Sequence, residues 1–389
     1  MIVNIAIIRM LAIFFSYILN LTILNMVLKE TAGQYYLIIA WSSLITVILV
    51  GGYSRYIVRE LGKNSSLEEF FRKSAYKYIK LIFIIVAPIV LFLANLKLEV
   101  AILASTIPFV VYLAIESALL RGKGAYIFGN IEAQIIRPII LLFILHSGLI
   151  FFDKISILEL ISFYAFGIII IAIIWFFIFR PKPFLQKIYS HKLDFKSLKN
   201  LTTISLAEVA FLQLDIIILG FLMVSEDIAD YKVALLIRMA LLIPQQAMLM
   251  VLPYLLSKSS STSYQLYLRI INLLIGFLGI IVNFLIGEEL INLAFGENYN
   301  NVSNYLYPYF LMMICLGVIG PSSEVLIASN NDQIVRKASV ISIIINSTLL
   351  VFCVPVYGVP AAIAAGAGSY VIFYFICYWY KNSTKSIVR

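Results

Sequence analysis

Between Leu206 and Ser257 the chain reads LAEVAFLQLDIIILGFLMVSEDIADYKVALLIRMALLIPQQAMLMVLPYLLS, two long apolar runs joined by the short acidic turn SEDIAD. Each run is long enough to cross a bilayer, which takes about 20 mostly apolar residues. In hydrocarbon a backbone must satisfy its own N–H and C=O groups, so the stretch predicts a transmembrane helical hairpin. Glu208, Asp215, Lys232 and Arg238 sit inside it or at its ends. A charge at membrane depth is costly enough to mark a functional site by default. Glu208 and Asp215 are seven residues apart and share a helix face. Counted from the turn, Asp215 lies roughly 12 Å deep on the first helix and Arg238 roughly 10 Å deep on the second, within reach of each other.

The pattern recurs. Met26 to Ala40, MVLKETAGQYYLIIA, sets against Met223 to Ile237, MVSEDIADYKVALLI, at an offset of 197 residues, close to half of the 389-residue chain. One half reads as a diverged copy of the other. Hydropathy gives twelve spans, at 2–28, 35–54, 77–96, 99–120, 131–150, 157–179, 201–223, 232–256, 267–286, 304–328, 335–354 and 358–380. The first is read as a helix and not a cleaved signal, because it is long enough to span and lacks a small-residue cleavage site. With 62% hydrophobic and 13% charged residues, the composition belongs to an all-α integral membrane protein.

Charge sets the orientation. Of 29 Lys and Arg, 23 fall on one set of alternate loops and 4 on the other, with Arg9 and Arg238 inside helices. By the positive-inside rule both termini are cytoplasmic. The net charge of +9 is spread over these loops without interleaved base-stacking aromatics, so it points to a membrane and not to nucleic acid. The basic connection Arg180 to Asn200, RPKPFLQKIYSHKLDFKSLKN, divides the chain. Residues 1–180 are expected to form an N-terminal six-helix lobe, 181–200 a cytoplasmic linker and 201–389 a C-terminal six-helix lobe. Asn64 to Lys80 reads as an amphipathic lead-in, with Leu67, Phe70 and Phe71 lying on the membrane surface. Pro88, Pro108, Pro138, Pro244 and Pro321 fall inside apolar runs, where each favours a kink.

Several segments carry a family likeness: GQYYLIIAWSSLITVILVGGYSRYIVREL from Gly33, LLRGKGAYIFGNI from Leu119, LDIIILG at Asp215 followed by IADYKVA, LPYLLS at Pro253, FGENY from Phe295 and VPVYGVPAAIAAGAGS from Val354. Together they resemble the Wzx-type polysaccharide flippases, in the superfamily that also holds multidrug extruders and lipid II flippases. The resemblance covers nearly the whole chain. It implies twelve transmembrane helices in two pseudo-symmetric six-helix lobes around a central cavity that opens alternately to either side. The substrate it implies is an undecaprenyl-pyrophosphate-linked oligosaccharide, such as an O-antigen repeat unit, moved across the bacterial inner membrane beside a polysaccharide polymerase machinery.

A pyrophosphate in a bilayer needs cations facing a wet cavity, and arginine suits it through its planar, always-charged fork. Arg9 and Arg238 are the arginines most clearly inside spans, followed by Arg55 and Arg137 nearer the cytoplasmic ends. For Arg238 a structural ion pair with Asp215 is the other reading; for Arg9 it is snorkelling, and for Arg55 and Arg137 positive-inside anchoring. Coupling to Na⁺ or H⁺ would fall to Asp215 and Glu208, which a purely structural role also fits. Glu116 and Glu324, near the repeat offset, read either as an inner gate latched to Arg121 or Arg336 or as interfacial salt bridges. Polar groups such as Asn4, Asn20, Gln134, Gln213, Gln245 and Asn346 either meet sugar hydroxyls or join helices.

Two rivals follow. A multidrug cation antiporter of the same fold would want a cavity of carboxylates and aromatics, against which Arg9 and Arg238 argue. A membrane polysaccharide polymerase would need a sizeable catalytic segment, and no nucleophile and base pair stands out beside His146 and His191. Cys315, Cys353 and Cys377 lack metal-ligand spacing, and no cofactor or metal is expected.

Overall fold

The computed structural model describes residues 2–149, 155–179, 194–257, 261–328 and 331–387. They are almost wholly helical, with no strand among them. The N-terminal half holds α1 (Ile2–Met26), α2 (Lys29–Lys63), α3 (Glu68–Ala94), α4 (Leu98–Gly122), α5 (Tyr126–Ile131), α6 (Arg137–Leu149) and α7 (Ile157–Ile178). The C-terminal half holds α8 (Phe195–Leu222), α9 (Ser225–Ser257), α10 (Ser261–Phe295), α11 (Tyr307–Ile319), α12 (Ser322–Ala328), α13 (Asp332–Tyr357) and α14 (Val359–Ile387). A π-helical turn, Glu132–Ile136, joins α5 to α6, and a 3₁₀ segment, Glu297–Tyr305, precedes α11. Among the described residues each of the twelve predicted spans overlaps helix, with α5 and α6 meeting the fifth and α11 and α12 the tenth. Among the described residues seven helices are long and apolar enough to cross a membrane, and eight if the pair bent by 43° around Leu306 is one span.

Local chemistry places the ends. Glu30 opens α2 and Lys63 closes it, each matching the sign that the helix dipole favours. Asn64 then accepts from the Ser66 amide at 3.0 Å and turns the chain into α3. Ser156 and Glu159 form a capping box at the start of α7. Asp194 accepts from the Ser197 amide at 3.2 Å, so α8 begins at Phe195, ahead of the apolar run.

Two compact units result, Leu11–Val209 and Met1–Met10 with Ala210–Arg389. In the first, α4 is central and is packed by α2, α3 and α7. Tyr56, Phe71, Leu113, Ile115 and Leu119 are fully buried there. Phe71 thereby corrects the expectation of a membrane-surface lead-in. α2 runs nine residues past Ser54, the expected end of its span, and presents Tyr53 and Tyr56, on which the Phe71 ring packs edge-on at 6.5 and 6.0 Å. Leu67 is buried beside it and Phe70 packs on the same core. The outer faces are apolar: Ile84, Leu91, Phe284, Leu293 and Phe352 are each at least 70% exposed. In water such faces would aggregate, whereas hydrocarbon solvates them.

In the second unit α10 packs against α11, and α13 against α14. Pro88 and Pro108 lie inside continuous helices, but Pro138 and Pro321 coincide with interruptions. At the latter, Gly320 takes φ +77° and ψ −177°, a region essentially reserved for glycine. Arg269 of α10 reaches this break. Its Nη2 donates to the Ile319 carbonyl at 3.1 Å, and its guanidinium fills the place that a Cβ on residue 320 would take.

Candidate functional site

The second unit holds a polar cluster drawn from five helices. α8 supplies Asp215, α9 supplies Tyr231 and Arg238, α11 supplies Tyr309, α13 supplies Asn346 and α14 supplies Gly366. Tyr231 and Arg238 are seven residues apart, two turns along one face of α9. Asp215 is 4% exposed, and Tyr231 and Tyr309 are fully buried. The carboxylate accepts twice, at Oδ2 from the Tyr231 hydroxyl at 2.7 Å and at Oδ1 from Asn346 Nδ2 at 2.6 Å. Arg238 lies over the Tyr309 ring, with Cζ 5.7 Å from its centroid, a cation–π contact.

Asp215 and Arg238 are brought together but do not touch. A Cβ on Gly366 would lie 3.5 Å from Arg238 Nη1, 3.5 Å from Tyr231 Oη and 3.8 Å from Asp215 Oδ2. Yet the two charges do not come within the 4.0 Å of an ion pair. Two neutral donors hold the carboxylate, and an aromatic face holds the cation. The opposite charges still attract across the gap. Arg238 Nε, Tyr309 Oη and Asn346 Oδ1 are buried without a protein hydrogen-bond partner. A half-satisfied network is costly unless another polar group completes it, so these three atoms mark where one would bind.

Gly366 keeps that gap open, and this yields a prediction. At ordinary van der Waals distance from its neighbours, an added methyl fits without clash. Gly366→Ala is therefore expected to hold or raise stability, by up to about 1 kcal/mol, since alanine is the better helix former. Under the transport reading proposed below, turnover is expected to fall, because the methyl occupies the space between the charged groups. Thermal unfolding in detergent and substrate transfer in liposomes would measure the two effects separately, and full transfer by the variant would show that the gap is not used.

The first unit holds a second cluster. Glu132, 1% exposed, accepts from Arg137 Nη2 at 2.9 Å and Nε at 3.2 Å. Tyr164 of α7 stands close enough to feel both charges, and its ring meets Tyr35 of α2 at 6.4 Å. The helical run that carries Arg137 begins at Tyr126, eleven residues before it and five before the predicted span start at 131.

Glu116 is latched, but to a partner that was not expected. Arg72 Nη1 donates to its two oxygens at 3.1 and 3.2 Å, and also to the Phe179 carbonyl at 3.4 Å. Arg72 Nη2 donates to Glu68, which also pairs with Lys123. Arg121 instead turns back to the Ser117 carbonyl at 3.3 Å. Arg55 lies near enough to Arg121 for their charges to repel. The side chains of Arg9, Glu208 and Glu324 lie outside the described residues, as do residues 180–193 of the expected linker. Among the described residues no group of three His, Cys, Asp or Glu side chains could hold a metal ion.

Sequence reasoning passed over Glu132, Arg72, Tyr231 and Tyr309. Tyr231 had a signal in its seven-residue spacing from Arg238. Glu132 had none, because only the π turn makes it face Arg137.

No protein-family model and no curated relative matches the sequence. Solved structures do match over nearly the whole chain. A multidrug resistance MATE family transporter of the MOP superfamily, in an inward-facing conformation, superposes with a TM-score of 0.71 at 12% identity, covering 98% of this chain and 98% of that one. The lipid II flippase MurJ, in an inward closed conformation, gives 0.69 at 16% identity, covering 96% of this chain and 87% of that one. The chain has the fold of the MOP-superfamily transporters. A further MOP-superfamily transporter, from Pyrococcus furiosus and described as having a binding pocket of reverse polarity, gives 0.64 at 11% identity, covering 99% of this chain and 95% of that one. At such identities the likeness is one of fold, and the polar side chains must be read from this chain itself.

Proposed function

We propose that the chain is a lipid-linked oligosaccharide flippase that moves an undecaprenyl-pyrophosphate-linked repeat unit outward across the bacterial cytoplasmic membrane by alternating access. The observation that carries this reading is Arg238, a half-buried arginine whose Nε–H is buried without a protein partner and which has no carboxylate in ion-pair contact among the described residues. A guanidinium in that state favours an anionic group, and a phosphate can accept from Nε and Nη together. The buried tyrosines around it offer further hydroxyls to a phosphate or sugar. The likeness to a lipid II flippase supports a substrate that is itself a lipid-linked sugar.

Asp215 is the coupling group in this reading. Its carboxylate and the unpartnered Asn346 Oδ1 supply oxygen ligands of the kind that Na⁺ takes, and the carboxylate alone suffices for H⁺. A multidrug antiporter is the second reading, favoured by the match to MATE transporters over 98% of both chains and by a buried carboxylate beside aromatic rings.

Sealed proteoliposomes separate the two. The flippase reading expects transfer of an undecaprenyl-pyrophosphate oligosaccharide across the bilayer, accelerated by an imposed Na⁺ or H⁺ gradient. Efflux of a cationic dye with no lipid transfer would move the assignment to drug export.

A further inference from the structure

The Glu132 and Arg137 pair exists only because the helix is irregular. In an α-helix residues five apart point about 140° away from each other, at 100° per residue. The π turn closes the Arg137 amide onto the Glu132 carbonyl instead and so stacks the two side chains. Pro138 supplies the cause. It has no amide hydrogen, and in an α-helix its ring would clash with the carbonyl four residues back, a conflict that a widened turn relieves. Two consequences are visible in the side chains. Both donated hydrogens of Arg137 go to the single oxygen Glu132 Oε1, so three of the five guanidinium N–H groups have no acceptor among the described residues. The pair is also lopsided, since the Arg137 side chain is 22% exposed while that of Glu132 is 1% exposed.

We propose that this pair is a phosphate-exchange site. One phosphate of the substrate takes the Arg137 guanidinium, and Glu132, left buried without its cation, takes up a proton from solution. The proposal rests on the reading that the substrate carries phosphate, and it adds a second anion site beyond Arg238 together with a source of proton coupling. No covalent bond changes; one ion pair is replaced by another, and the proton balances the carboxylate that is released. The alternative for Glu132 is an unpaired charge at membrane depth, which is far costlier than neutralisation. Among the described residues the groups facing the pair are the Tyr164 hydroxyl from α7 and, behind it, Tyr35 from α2. Neither supplies a second cation to hold Glu132 charged. The proline-held π turn keeps Glu132 in place as the resident counter-ion, so that Arg137 is never bare between substrates.

Calorimetric titration of inorganic pyrophosphate into the full-length protein in lipid nanodiscs, in buffers of different ionisation enthalpy, tests this directly. Relative to Glu132→Gln, the wild type is expected to take up about one additional proton per pyrophosphate bound. Glu132→Gln is expected to bind about tenfold more tightly, since no carboxylate competes for the arginine. Arg137→Gln is expected to lose the component that these changes define, and Arg137→Lys to keep it weakly. Pro138→Ala, which allows a regular helix, is expected to tighten binding as Glu132→Gln does, because the carboxylate then points away. Thermal unfolding of each variant confirms that it is folded. Equal proton uptake and equal affinity in wild type and folded Glu132→Gln would overturn the exchange. So would an absence of pyrophosphate binding by wild-type protein that still transfers the lipid-linked oligosaccharide in liposomes, an outcome that leaves the flippase reading intact.

Discussion

Arg238→Met is expected to slow transfer of lipid-pyrophosphate oligosaccharide at least about 100-fold in proteoliposomes, a loss of roughly 2.7 kcal/mol of stabilisation of the moving anion. The effect is large because the guanidinium would be the charged donor to a phosphate, and charge-assisted bonds are roughly twice as strong as neutral ones. The fold should survive. Asp215 keeps its bonds from Tyr231 and Asn346, and methionine fills much of the same volume against the Tyr309 ring. Arg238→Lys is expected to recover only part of the rate. Lysine keeps the charge but loses the planar fork that stacks on tyrosine and holds two oxygens. Wild-type transfer by the methionine variant, at matched amounts of folded protein, would return Arg238 to a structural role and remove the main support for an anionic substrate.

Arg72→Met is expected to have the largest effect on stability, a loss of about 3–5 kcal/mol, because it strands Glu116 as an unpaired buried carboxylate. Both partners are nearly inaccessible, with side chains 10% and 4% exposed. The double variant Arg72→Met/Glu116→Leu is expected to regain most of that loss, since a well-packed apolar pair often equals or exceeds a buried ion pair. Unfolding midpoints of the two single variants and the double one form the cycle. If the double variant is as unstable as Arg72→Met, the contact from Arg72 to the Phe179 carbonyl, and not the ion pair, holds this corner of α3, α4 and α7 together.

How far the sequence was legible follows from what each feature depends on. The helical spans could be read because lipid leaves the backbone few options, so length and apolar composition are nearly sufficient. Asp215 and Arg238 were conspicuous because charge is rare at that depth, and their facing positions followed from counting turns back to SEDIAD. Their avoidance of direct contact was not legible. It depends on Asn346, which lies 131 residues from Asp215, and on the hydroxyl of Tyr231, an ordinary-looking aromatic in the sequence. Phe71 was misplaced for a related reason. Hydropathy ended the second span near Ser54, whereas polar side chains that point outward let α2 continue to Lys63 and wall in that ring. The π turn is harder still. Nothing in EAQIIRP distinguishes a widened turn from a helix that simply kinks before its proline.

Arg269 and Gly320 carry an evolutionary consequence. The guanidinium occupies the place of a Cβ at residue 320, and the backbone there already excludes other residues by its dihedral angles. The dihedral constraint is the harder of the two, because the guanidinium lies at the far end of a flexible side chain and can move aside, whereas the backbone angles cannot be relaxed locally. Residue 269 can therefore vary while the glycine stays, and in a mutational library substitutions at residue 320 should be depleted whatever residue stands at position 269.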